Sequence, residues 1–227
     1  ALPNMDGSFT VTLFNSFAGE NSFGELNTDA AVKKFFTKFF ADAVPLMPEL
    51  EKTFFENPTS SLVTIRSYPW KYKHACLIGD AAHAIVPFYG QGMNCGFEDV
   101  NELDEILSAN QNWDEVLHKF QQQRKPNGDA IADLALHNYI EMRDLSGRKD
   151  FQLRTQIERK IAEKFGAQFM THYAMVTFSD LSYSEAQQRG AKQNELLDKI
   201  MALPNIQENW NGEEVMKLAD EWISQRQ

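Results

Sequence analysis

The chain has 227 residues, 32 of them acidic and 22 basic, for a formal charge of −10. Its 43% hydrophobic and 24% charged content is that of a folded globular protein and excludes a disordered or collagen-like chain. The acidic excess argues against a nucleic-acid partner, because neutralising phosphates needs a Lys/Arg surplus on at least one face. Phe outnumbers the other aromatics, 17 against 6 Tyr and 4 Trp, which suits a core, an apolar ligand cavity or both. Two cysteines, Cys76 and Cys95, make neither a zinc spacing nor a disulfide scaffold, so a reducing compartment is expected. The uncharged stretch 165–179 is shorter than the ~20 apolar residues of a membrane span, as is the uncharged run 81–97. The opening Ala-Leu-Pro-Asn has no initiator Met and reads as the middle of a longer protein.

In chain order, the turn signal Asn4-Met5-Asp6-Gly7 followed by the β-branched and aromatic run 9–17 predicts a hairpin, with Leu2 and Met5 near the end of its first strand. Val32, Phe35, Phe36, Phe39, Phe40 and Ala43 recur at helical spacing opposite Lys33, Lys34, Lys38 and Asp42. Residues 29–44 therefore read as an amphipathic helix ended by Pro45 and packed on a sheet. A strand is expected over 61–68, stopped by Pro69, and a short apolar one over 75–78 running into Gly79-Asp80. The next helix starts near Gly92 and reaches about Leu107, with Phe97, Val100, Leu103 and Leu107 inward. Beyond Trp113 the pattern is helical over 113–123, 127–145, 150–165, 166–178, 183–202 and 212–225. Strands first and helices afterwards predict an α+β part followed by a helical part.

Residues 75–100, ACLIGDAAHAIVPFYGQGMNCGFEDV, carry the chemistry. Asp80 stands at the carboxyl end of a buried strand, where ligands of α/β sheets bind, and can accept hydrogen bonds from a polyol or ribose chain. The alternative is a plain N-cap for Ala81-Ala82-His83. In Pro87-Phe88-Tyr89-Gly90-Gln91-Gly92-Met93-Asn94 the two glycines permit close backbone approach, and the helix starting at Gly92 aims its free N–H groups back along the loop. Such a terminus favours an anion or a developing negative charge, for which a reduced flavin ring qualifies. A purely structural glycine loop is the other reading. His83 has no nucleophile or metal partner at a catalytic spacing and reads as structural.

This order, GDAAH…P…GQGMN, is very similar to the second flavin-contact motif of the class A aromatic hydroxylases, the para-hydroxybenzoate hydroxylase-like flavoproteins. Within that group the longer run to Asp99 resembles the kynurenine 3-monooxygenase family, as do ALPN with TVTLF at the start, HNYIEMRD at 137–144 and HYAMVTFSDLSY at 172–183. The likeness covers about residues 1–183 in scattered blocks. It implies an α+β/α/β fold of the para-hydroxybenzoate hydroxylase type. On that scheme residues 1–73 belong to the substrate-binding sheet domain, 74–110 to the FAD domain and 111–227 to a helical carboxyl-terminal domain.

The resemblance also implies site residues. Asp80 would bind the flavin ribityl chain, and the backbone at Gly92, Met93 and Asn94 would face the pyrimidine edge. Pro87 would sit beside the ring, and Gln91 would help hold the loop in this cofactor-contacting set. Phe88 would cover the aromatic substrate, or else plug the core. Asn138 falls on the stripe Ile131, Leu134, Ala135, Met142, Leu145, so its carboxamide faces inward, towards a backbone or water partner or towards the amino-acid end of a substrate. Tyr173 is either a core tyrosine or a ligand of the substrate carboxylate. Phe14, with Leu2 and Met5, would line the cavity around the aniline ring.

The activity implied is FAD-dependent hydroxylation of L-kynurenine by NADPH and O2, through a flavin C4a-hydroperoxide, with no metal and no side-chain nucleophile. The G-x-G-x-x-G fingerprint that grips FAD occurs nowhere in the sequence. The chain is therefore expected to be the carboxyl-terminal half of such an enzyme, with the amino-terminal half as its partner. The family's animal and fungal members are associated with the mitochondrial outer membrane at its cytosolic face, some through carboxyl-terminal hydrophobic anchors, so the resemblance implies that location. Surface association or a trimmed tail are the two readings of an ending, EWISQRQ, that holds no such segment. Two competing readings are another class A hydroxylase acting on a phenol or quinone precursor, and a non-catalytic helical fragment that docks to a partner or membrane.

Overall fold

A computed structural model describes residues 1–110 and 112–225. Its backbone is dominated by helices and divides into two units, Ala1–Ser61 and Leu62 onward. In the first unit, β1 (Leu2–Pro3) and β2 (Phe9–Thr10) pair antiparallel, Leu2 opposite Thr10, around the Asn4–Ser8 turn. The predicted run to Phe17 does not continue as a strand. Helix α1 (Asp29–Phe39) is capped by Thr28, whose Oγ1 accepts the Ala31 N–H at 3.2 Å. It stops five residues before the predicted end, because Val44 and Pro45 enter a separate 3-10 turn. Val32 and Phe36 bury against Leu26 and Leu50, the latter opening α2 (Leu50–Glu56), which the periodicity did not show. Phe39 and Phe40, expected on the inner face, lie exposed.

In the second unit, β3 (Lys71–Tyr72) and β4 (Ala75–Cys76) form a hairpin, followed by α3 (Asp80–His83). The segment expected as a strand over 61–68 makes no ladder. It donates Ile65 N–H to the Ala84 carbonyl and Ser67 N–H to the Ala82 carbonyl, so it lies along the loop after α3. The sheet anticipated for the first eighty residues is thus reduced, among the described residues, to two hairpins of two-residue strands. A strand without a hydrogen-bonded neighbour on either side has nothing to complete its backbone pairing.

Helices α4 (Gly92–Ala109), α5 (Trp113–Ile140), α6 (Lys149–Phe165), α7 (His172–Phe178), α8 (Tyr183–Met201), α9 (Ile206–Asn209) and α10 (Glu213–Ser224) complete the unit. Where two helices were expected over 113–145, α5 runs unbroken through Pro126 and ends in a π-helical turn, Glu141–Leu145. Three apolar clusters hold these helices together. Trp70, Ala82, Ile106, Val116 and Phe120 clamp the hairpin and α3 onto α4 and α5. Cys95, Ile131, Leu134, Met175 and Ala186 join α4 and α5 to α7 and α8. Ile157, Ile161, Leu197, Ile200, Val215 and Ala219 close α6, α8 and α10.

Candidate functional site

The turn before α3 departs from ordinary backbone. Gly79 has φ +59°, ψ −140°, a conformation open essentially to glycine alone, and it serves as the N-cap of α3. Asp80 is therefore the first helical residue and not the cap, which removes the N-cap alternative. Its carboxylate is exposed and makes no hydrogen bond among the described residues.

Behind this turn lies a buried charge network. Asp99, fully buried on α4, accepts the Gly79 N–H at 3.0 Å and His83 Nε2 at 2.5 Å on Oδ2, and Arg124 Nε at 2.7 Å on Oδ1. Arg124 reaches in from α5 and also donates Nη2 to the Cys95 carbonyl at 3.2 Å. Burial works against a charged His83, but the bonds to Asp99 and Cys95 outweigh it and push the imidazole up to about 10. Burial would likewise raise Asp99, and the donations from His83, Arg124 and Gly79 instead hold it below the usual carboxylate range. His83, Cys95 and Asp99 bring three ligand-type atoms within 4.8 Å of one another. The set is nevertheless filled: both nitrogens of an imidazolium are donors, both Asp99 oxygens are taken, and the Arg124 cation stands 3.5 Å from the Cys95 sulfur.

The loop 87–91 leads from this network into α4. Gly90 has φ +68°, and Gln91 is buried with Oε1 accepting Asn94 Nδ2 at 2.9 Å and the Tyr183 hydroxyl at 3.2 Å. Gln91 is thus turned into the protein, where it fastens the loop to α8. The first intrahelical bond of α4 is from Cys95 N–H to the Gln91 carbonyl, and no side chain caps the helix. The N–H groups of residues 92–94 are left at an uncapped positive end. Pro87 and Asn94 are exposed here, as is Met93.

α4 presents its faces differently from the expectation. Phe97 and Val100, predicted inward, are 65% and 56% exposed and line up with Met93 at 71%. The inner stripe is Cys95, Asp99 and Ile106, with Leu103 and Leu107 partly buried beside it. A search for apolar periodicity misses it because a charged residue occupies its centre. The one signal available was the i, i+4 spacing of Cys95 and Asp99 within the motif itself.

A second group of side chains packs around the same loop. Asn138 is half-buried and donates Nδ2 to the Phe88 carbonyl at 2.7 Å, so one of its two amide donors goes to backbone. Phe88 packs on Tyr139 at 4.7 Å, and the Arg143 guanidinium covers the Tyr139 ring. Met142, expected on the inner stripe with Asn138, is exposed, because the π-helical turn rotates the chain out of register there. Tyr173 stacks on Tyr89 at 5.5 Å and remains 50% exposed, so it is not a core tyrosine. Burial raises the carboxyls of Glu141 and Glu158, whose charges act on the Tyr89 hydroxyl, and Glu158 accepts the His172 N–H at 3.1 Å. Neither glutamate was singled out from the sequence. Phe14 belongs to the first unit.

These residues fit a flavin on their own chemistry: an exposed, unpaired carboxylate for hydroxyls, and uncapped N–H groups for an anionic ring edge, joined by a loop with left-handed glycine. Residues 31–135 match the family described as FAD binding domain. The chain is 49% identical to the kynurenine 3-monooxygenase of Cytophaga hutchinsonii over 95% of its own length and 48% of that relative's. Its identity to the proteins of the same name from Myxococcus xanthus and Dictyostelium discoideum is 45% and 42%, over 88% and 98% of this chain and 43% and 51% of theirs. The chain thus spans about half the length of the curated relatives it matches, and over that span its likeness is to kynurenine 3-monooxygenases.

Proposed function

We propose that this chain is the carboxyl-terminal part of an FAD-dependent, NADPH-using monooxygenase that converts L-kynurenine to 3-hydroxykynurenine. The observation that carries the reading is the exposed, unpartnered Asp80 on a glycine-only turn, beside the uncapped start of α4, within the stretch that matches the FAD-binding family. In this reading Asp80 takes the ribityl hydroxyls, while the N–H groups around Gly92, Met93 and Asn94 face the pyrimidine edge of the ring. Pro87 borders the ring, and Gln91 keeps the loop in place from inside. The flavin, when bound, supplies the activation of O2 with electrons from NADPH. The protein's own work is to hold the aminophenyl ring, to stabilise negative charge at the end of α4 and to keep water out.

The substrate side is assigned to Phe88, Asn138, Tyr173 and Phe14. Asn138 serves it first by fixing the Phe88 carbonyl, and Tyr173 offers a hydroxyl on a half-exposed ring. Within the whole enzyme residues 1–73 would add to the substrate-binding sheet, 74–110 to the FAD domain and 111–227 to a helical domain. The partner is an amino-terminal polypeptide carrying the dinucleotide fingerprint. The outward row of Met93, Phe97 and Val100 supports this, because large apolar side chains one helical turn apart on a chain of charge −10 form a face suited to cover by another surface. The location carried by the resemblance is the cytosolic face of the mitochondrial outer membrane; no helix among the described residues is long and apolar enough to cross a membrane.

The chain co-purified with an amino-terminal polypeptide of a relative should be yellow. Kynurenine should stimulate its NADPH oxidation and yield 3-hydroxykynurenine. Stimulation by phenols and not by kynurenine would overturn the substrate. Flavin bound stoichiometrically by the 227-residue chain alone would overturn the need for a partner.

A further inference from the structure

Three donors from three elements converge on the single carboxylate of Asp99: the Gly79 N–H from the turn, His83 from α3 and Arg124 from α5. The Gly79 bond connects this buried network to the surface. Gly79 is held at both ends, since its carbonyl accepts the Ala82 and His83 N–H groups at 2.8 and 2.9 Å while its own N–H is fixed on Asp99. The plane of the next peptide, and with it the direction in which Asp80 leaves the turn, follows from those constraints. A Cβ built on Gly96 would meet the Gly79 Cα at 3.8 Å, so the turn lies directly against α4.

Asp99 also belongs to the helix whose first turn carries the N–H groups of residues 92–94. A helix advances about 1.5 Å per residue and is stiff over two turns. One carboxylate therefore sets the Asp80 turn relative to the uncapped end of α4, which are the two groups that would grip opposite parts of one ligand. We propose that Asp99 and Arg124 are positioning residues for the flavin: Arg124 holds Asp99, Asp99 holds the Gly79 N–H, and Asp80 is thereby presented to the ribityl chain at a set distance from the start of α4. This rests on the flavin reading above. His83 shares the task, wedged between the Trp70 ring at 5.2 Å and the bare backbone of Gly128, where a Cβ would come within 3.2 Å of its ring. Asn at position 99 keeps the shape but offers one acceptor where three donors converge, so the Gly79 N–H and the turn it fixes are released.

The test uses the complex of this chain with its amino-terminal polypeptide, with and without FAD. Asp99→Asn should raise the FAD dissociation constant, read by flavin fluorescence, by tenfold or more. In the flavin-free complex it should speed exchange of the Gly79 amide by at least tenfold while the α8 amides stay protected. Asp114→Asn, which breaks the exposed 2.5 Å pair with Lys71, should change neither. Should Asp99→Asn lower the protection of every helix together, Arg124→Lys carries the test. It keeps a cation beside Asp99 but loses the fork, and should weaken FAD about three- to tenfold with the fold intact. Faster Gly79 exchange with unchanged FAD affinity, in either variant, would overturn the positioning role and leave the flavin reading standing. Failure of the unsubstituted complex to bind FAD would overturn the flavin reading itself.

Discussion

Replacing Arg124 by Met removes every donor that side chain brings to the interior while keeping most of its length. Asp99, fully buried, would lose its 2.7 Å bond to Arg124 Nε and keep only His83 and the Gly79 N–H. The Cys95 carbonyl would lose the 3.2 Å donation from Nη2. Breaking a buried ion pair by removing one partner costs about 3–5 kcal/mol, because the remaining charge stays in a poorly polarisable environment. The pair with Glu98 at 3.1 Å adds less than about 1 kcal/mol, since the Glu98 side chain is nearly half exposed. At roughly 2–4 °C per kcal/mol for a unit of this size, Arg124→Met should melt about 6–20 °C lower. Far-UV circular dichroism of the full chain, with urea unfolding at pH 7, measures both quantities. Adding Asp99→Leu should recover part of the loss, because no unpaired charge then remains. A single-variant loss below about 1 kcal/mol, or a double variant that loses the sum of the singles, would refute the account of the network.

The pH profile follows from the same groups. With His83 pushed up to about 10 from 6.5, its contribution is complete below about pH 6.5 and disappears as pH rises through 10, whereas that of Asp99, held low, disappears as pH falls below its ordinary range. Urea midpoints should therefore fall between pH 7 and 10, and His83→Gln should flatten that limb; an equal fall in both proteins would contradict the assignment. Gly190→Ala sets a Cβ within 2.4 Å of the His172 ring, so crowding of about 1–3 kcal/mol should exceed the ~1 kcal/mol gained in helix propensity. His172→Ala in the same chain should relieve it, and a stabilised Gly190→Ala protein would show the ring moves aside at no cost. On the substrate side, Tyr173→Phe and Asn138→Ala should each weaken kynurenine binding several-fold in the flavin-loaded complex. Loss of flavin from both variants would return the two residues to a structural role.

Much of the helical half was legible locally. Residues 150–165, 183–202 and 212–225 were predicted as helices within one or two residues of α6, α8 and α10, because apolar spacing and caps such as Ser182, which accepts the Glu185 N–H, are written in neighbouring residues. The start of α4 at Gly92 was readable from its glycine loop in the same way. The break expected at Pro126 was not found. A helix buried at eleven positions holds its course through a missing N–H that an isolated helix would not tolerate. The strands of the first eighty residues failed for the opposite reason: β-propensity names candidates, and only a neighbouring edge turns them into a sheet.

At the candidate site the sequence by itself determined the chemistry available, namely a glycine-aspartate turn, a glycine loop and a helix start, in the order that carries the resemblance. Which side chains hold that chemistry in place was decided by tertiary structure. Asp99 lies 20 residues beyond Gly79 and Arg124 another 25 beyond Asp99, with no periodic signal joining them. A charged residue reads as an outward one until a partner from elsewhere in the chain neutralises it. Burial of Asp99 on α4, and with it the turning outward of Phe97 and Val100, became favourable only when Arg124 and His83 were brought within hydrogen-bonding distance by the packing of α5 and α3.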